Sequence, residues 1–134
     1  MLLSLLSKEE KFYFIDLLIG FVSVDGAATD TELTIVKKLK SEMGDDIAKY
    51  KKSNLSQDKL IEYFAEKPKP TRVFVYLNLV SASLCDDWYS VEEHFLLQLI
   101  QEKFQIAEKK RVELMKLVYA ERDLREKVKR VISE

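Results

Sequence analysis

The sequence predicts an all-α protein, one compact domain over residues 1–134 with about seven helices built around two pseudo-repeated helix–acidic turn–helix units. Three observations support this. Only three Gly and two Pro occur in 134 residues, too few turn formers for many short strands, while Leu, Lys and Glu fill the long segments. Apolar residues recur at helical spacing. Finally, residues 8–44 and 69–105 repeat one another at a fixed offset that brings Asp86 onto Asp25. Phe14, Ile15 and Leu18 then fall on Val75, Tyr76 and Leu79, and Ile35, Val36, Leu39 and Met43 fall on Leu96, Leu97, Ile100 and Phe104. With 47% apolar residues, a chain of this length buries roughly two-thirds of the surface its unfolded form exposes.

A capping box, Ser7-x-x-Glu10, opens the first helix, which runs from Lys8 to about Val24. The second follows Thr29-x-x-Glu32 and ends near Gly44, a residue suited to a helix C-terminus. Asp45 to Asn54 is polar and reads as loop, with Ile47, Ala48 and Tyr50 available for an added turn. The third helix covers about Gln57 to Glu66 with Leu60, Ile61 and Phe64 inward. Lys67-Pro68-Lys69-Pro70 stops it, because proline disfavours helix in the preceding residue and has no N–H to donate. The fourth begins near Pro70 or Thr71 and ends at Cys85, and the fifth follows Ser90. The sixth spans about Ala107 to Ala120, with Val112, Met115 and Val118 or Tyr119 inward, and the seventh runs from Leu124 to Ile132. The expected core joins Leu18, Ile35, Val36 and Leu39 to Leu79, Leu96, Leu97 and Ile100.

The two acidic turns carry the candidate site. Asp25-Gly26-Ala27-Ala28-Thr29-Asp30-Thr31-Glu32 matches Asp86-Asp87-Trp88-Tyr89-Ser90-Val91-Glu92-Glu93, each placing an acid, a turn, a hydroxyl and a second acid in the same order. Thr29 with Glu32, and Ser90 with Glu93, are capping boxes, and acids in a first helical turn favour the positive end of the helix dipole. Asp25 and Asp86 lie four positions before the caps, beyond ordinary capping reach, so a hydrogen bond within the turn or a cation must account for them. Neither turn has the calcium-loop pattern Asp-x-Asp-x-Asp-Gly. Hard cations take oxygen ligands, six to eight for Ca²⁺, and one turn alone supplies too few. Packed about a pseudo-twofold axis, Asp25, Glu32, Asp86 and Glu93 would converge into a metal site for Ca²⁺ or Mg²⁺; packed apart, they are two separate structural caps.

The run Val24-Asp25-Gly26-x-x-Thr29-x-x-Glu32, set between apolar helices, resembles the Asp-Gly-to-Glu motif of the tellurite-resistance TerB family and its TerB-like relatives. The second copy departs at Asp87, where Gly is usual, and keeps Asp86, Ser90 and Glu93. The resemblance implies a compact all-helical domain, found alone in stress-response operons or attached to other domains, and an acidic cluster that meets a divalent cation.

Other function classes find less support. A formal charge of −1 argues against nucleic acid as partner, which calls for a strongly basic face. One cysteine, Cys85, precludes an internal disulfide and fits a reducing, cytoplasmic setting. Met1 to Leu6 is apolar but lacks the basic leader of a signal peptide and reads as a short turn on the core. Phe12 to Val24 is interrupted by Asp16 and is too short for a transmembrane segment. Between Glu108 and Glu134, nine Lys or Arg face six acids, a solvated face whose alternative is an acidic partner or peripheral membrane contact. His94 stands alone, without the neighbours a general base or zinc site needs. Trp88 and Tyr89 read as a lid over the core or as a partner-binding anchor. The expectation is a non-enzymatic TerB-like binding or scaffolding module in a cytoplasmic stress response, with another protein as partner. The alternative is a metal-assisted hydrolase using the same carboxylates.

Overall fold

The computed structural model describes residues 5–23, 34, 37–38, 40–42, 50–51, 53–84 and 90–134. Every regular element among them is helical, with no strand. Five helices are bounded: α1 (Lys8–Val22), α2 (Gln57–Ala65), α3 (Lys69–Ser83), α4 (Val91–Lys103) and α5 (Glu108–Ser133). Residues 34, 37–38 and 40–42 are helical as well. Ile35, Val36, Leu39 and Met43, expected on the inner face of the second helix, lie outside the described residues.

Helix α1 is the centre of the fold, packing on α2, α3 and α4. Phe14, Ile15, Leu17, Leu18, Phe21 and Val22 are all buried, and a helix apolar on most sides is stable only when covered on most sides. Its start is the expected capping box, in which the Glu10 N–H donates to Ser7 Oγ at 3.2 Å and the Ser7 N–H donates to Glu10 Oε1 at 2.8 Å. Glu10 also pairs with Lys67 at 3.6 Å, and Tyr63 Oη donates to Glu9 at 3.1 Å. Both contacts fasten the start of α1 to the end of α2.

Helix α3 repeats this burial. The residues matched to Phe14, Ile15 and Leu18 are Val75, Tyr76 and Leu79, and all six are buried. Helix α2 turns Leu60, Ile61 and Phe64 inward as expected, stops before Pro68, and is followed by α3 with Pro70 in its first turn, where a missing N–H costs nothing. Helix α4 buries Glu93, Leu97, Ile100 and, at its cap, Phe104. Leu96, expected in the core, is only half-buried against it.

The C-terminal region departs from the sequence reading. The expected sixth and seventh helices are one helix of 26 residues, about 39 Å long. Glu121-Arg122-Asp123 interrupts the apolar pattern but contains neither Gly nor Pro, so nothing in the backbone stops the helix. Its inward face also differs: Leu114 and Val118 are buried and Met115 half-buried, whereas Val112 and Tyr119 are exposed. Apolar residues lie on every side of this segment, which makes the helical phase ambiguous from spacing alone.

The turn from α4 to α5 has the hydrogen bonds of a Schellman motif. The Ile106 N–H donates to Gln101 O at 3.0 Å and the Gln105 N–H to Glu102 O at 3.1 Å. Gln105 occupies the left-handed position with φ 55°, where glycine is usual, and Ile106 is buried as the motif's apolar contact.

Candidate functional site around the second acidic turn

Of the four expected metal-ligating residues, Glu93 is described, and Asp25, Glu32 and Asp86 lie outside the described residues. Thr29, Cys85, Trp88 and Tyr89 lie outside them as well. Ser90 caps α4 as expected. Its Oγ accepts from the Glu93 N–H at 3.1 Å and its hydroxyl donates to Glu93 Oε1 at 3.2 Å.

Glu93 is fully buried. It shares the inward face of α4 with Leu97, Ile100 and Phe104, spaced four, three and four residues apart, so the helix itself carries the carboxylate into the core. At this depth an ionised carboxylate needs hydrogen bonds or a cation, and the positive end of α4 and the Ser90 hydroxyl supply part of that. Among the described residues no three His, Cys, Asp or Glu side chains come together as a metal site.

His94 points outward beside Glu93. It borders a cleft of about 150 Å³ with Ser83, Gln98, Gln101, Glu108 and Arg111 among its lining residues. Arg111 Nε donates to Glu108 Oε1 at 2.9 Å and Gln101 Nε2 donates to Glu108 Oε2 at 3.1 Å. Arg111 first and Gln101 second hold the Glu108 carboxyl at about 2. Among the described residues, the polar contacts across this cleft run from Gln101 of α4 to the Glu108–Arg111 ion pair of α5, and the Ser83 hydroxyl donates to Val80 O at 2.8 Å.

Sequence reasoning missed a second buried carboxylate. Asp16, noticed only as an interruption of an apolar run, is buried in α1. Tyr50 Oη donates to its Oδ1 and the Ser53 N–H donates to its Oδ2 at 3.0 Å. Burial first, and then the bond to Asp16, raises the Tyr50 phenol well above its usual range. The only sequence signal was a single charge inside an apolar helix, a position that calls for a buried partner. Asp16 also borders a cleft of about 300 Å³ with Gly20, Ser23, Ser53 and Gln57. Gly20 lets Gln57 lie so close that a Cβ there would sit 2.3 Å from Gln57 Oε1.

Among the described residues, exposed apolar side chains gather on α4 and α5. Val91, Phe95 and Leu99 are exposed on one side of α4, and Leu117, Leu124, Val128, Val131 and Ile132 are exposed on α5. From Tyr119 to the last residue every side chain of α5 is exposed.

Fold and side chains together define an all-helical protein with, among the described residues, two buried carboxylates and a long last helix whose outer half is exposed. No described helix is long and apolar enough to cross a membrane. Comparison with family models, with curated proteins and with solved structures finds no match.

Proposed function

We propose that this chain is a non-enzymatic binding or scaffolding module of the TerB-like kind, acting in a cytoplasmic stress response through contact with another protein. The observation that carries this reading is the outer part of α5. A soluble surface rarely concentrates apolar side chains along one helix without a partner for them, and Leu124, Val128, Val131 and Ile132 are 62%, 47%, 57% and 79% exposed within three turns. The test is the state of the tagged chain in its own cells. It should elute in an assembly larger than the monomer, and L124Q/V128Q should release it while melting at the same temperature. Monomeric elution of both would overturn the reading.

A cation role for the acidic turns is the second part of the proposal, favoured by the depth of Glu93. Asp25, Glu32 and Asp86 would complete its shell with Ca²⁺ or Mg²⁺. Millimolar Ca²⁺ should then raise the melting temperature, since a ligand selective for the folded state stabilises it by RT ln(1 + [L]/Kd). D25N/D86N should abolish the rise. A calorimetric titration without heat for either ion removes the cation role and leaves both turns as caps.

A further inference from the structure

We infer that the cleft beside Asp16 binds a small amino alcohol, with its ammonium on the Asp16 carboxylate and its hydroxyl on the Gln57 side-chain amide. The site is separate from the outer part of α5 and from the acidic turns, so it stands or falls independently of the reading above. Asp16, Gly20 and Ser23 follow one another at steps of four and three residues, so one face of α1 and its cap form a wall of the cleft. The wall leads inward. Asp16 and Leu60 are 6% and 3% exposed, whereas Leu55 at the rim is 41% exposed. A volume of about 300 Å³ lies at the small end for a ligand pocket.

Two polar groups in this cleft lack partners, and they are of opposite kinds. The Asp16 carboxylate accepts from the Tyr50 hydroxyl and the Ser53 N–H. Both donors are neutral, and a carboxylate offers about four acceptor sites. Among the described residues that line the cleft, none is Lys, Arg or His. A carboxylate buried on neutral donors alone keeps a charge that burial penalises. Gln57 Nε2 is buried without an acceptor, and the missing side chain of Gly20 is what lets that amide lie against α1. A water molecule would meet the hydrogen bonds and leave the charge, and a metal ion would meet the charge and leave the Nε2 donor. A carboxylate ligand would set a second negative charge near Asp16. An ammonium joined to a hydroxyl by a short apolar spacer meets both needs, with Leu55 and Leu60 available to the spacer.

The probe is ethanolamine, titrated into the full chain and followed by the Gly20 backbone and Gln57 side-chain amide signals in proton–nitrogen NMR. Both signals should shift saturably. Ethanolamine should bind at least about tenfold more tightly than ethylene glycol, which lacks the charge, and than ethylamine, which lacks the acceptor. Q57L, at a half-buried position, should erase the advantage over ethylamine and keep that over ethylene glycol, as read at Gly20. D16N should do the reverse, a split that a general loss of structure would not produce; if D16N does not fold, Q57L alone decides. No saturable shift with ethanolamine, equally tight binding of ethylene glycol, the same shift with magnesium or calcium chloride, or an unchanged preference over ethylamine in Q57L would each overturn the assignment.

Discussion

Replacing Tyr50 with Phe removes one hydroxyl and leaves the ring, which packs edge-on against Phe12 with centroids 5.6 Å apart. The apolar contact survives, so the loss isolates the bond to Asp16. That carboxylate is 6% exposed, and without Tyr50 its Oδ1 loses the donor that compensates burial. A hydrogen bond to a charged group contributes about 1.5–3 kcal/mol, and the desolvation left behind places this one toward the upper part of that range. A domain of 134 residues has an unfolding entropy near 0.28 kcal/mol/K, so the change should lower the melting temperature by about 5–11 °C. Circular dichroism melts at neutral pH measure it. The raised phenol pKa adds a second readout. The unfolded phenol ionises near 10.0 and the folded one higher, so the stabilisation is complete below pH 10 and is lost as the pH climbs toward the folded value. The gap between wild type and variant should therefore narrow only in strong alkali. A neutral-pH shift below about 2 °C, or a gap that narrows on acidification toward pH 7, would refute the argument that Tyr50 supports a buried carboxylate.

Three further outcomes follow from the packing. Leu79→Ala, at a fully buried position of α3, should cost about 2–5 kcal/mol in urea unfolding, and a cost under 1 kcal/mol would misplace the core. Ser90→Ala should cost about 0.5–2 kcal/mol in the same assay, because the Glu93 N–H and carboxylate lose their hydroxyl together; no loss would show that the cap is idle. Gln105→Gly should stabilise by about 0.5–1 kcal/mol, since a non-glycine residue is strained at φ 55°, and a destabilised variant would mean that the Gln side chain holds the turn.

Where the determinants are local, the sequence is readable. Ser7 and Glu10 sit three residues apart, and both halves of their capping box are present. Pro68 and Pro70 separate α2 from α3 because proline acts on its own backbone and that of the residue before it. The inward faces of α2 and α3 follow directly from apolar spacing. Where the determinant lies far along the chain or is an absence, local pattern does not reveal it. Asp16 is held by a tyrosine 34 positions away, which no window along the chain connects. The join of α5 through Glu121 to Asp123 depends on the lack of a breaker, and a polar stretch in a helix resembles a loop until its propensities are weighed. Of the candidate site, Ser90 and Glu93 were legible as a cap, but the full burial of Glu93 was not, because spacing places a residue on a face without saying what covers it.

The outer turns of α5 are exposed from Tyr119 onward, and that sets how they come to be helical. A free peptide of about 15 residues is a marginal helix in water, because starting the first turn fixes several residues for one hydrogen bond. Here Leu114 and Val118 hold the first turns against the core, so the domain acts as the nucleus and the rest of the helix only propagates. Amide exchange should slow from Ser133 toward Val118, in a gradient set by helix–coil equilibrium and not by global unfolding. A segment ordered in this way before any partner arrives loses less conformational freedom on association than a free peptide of the same sequence.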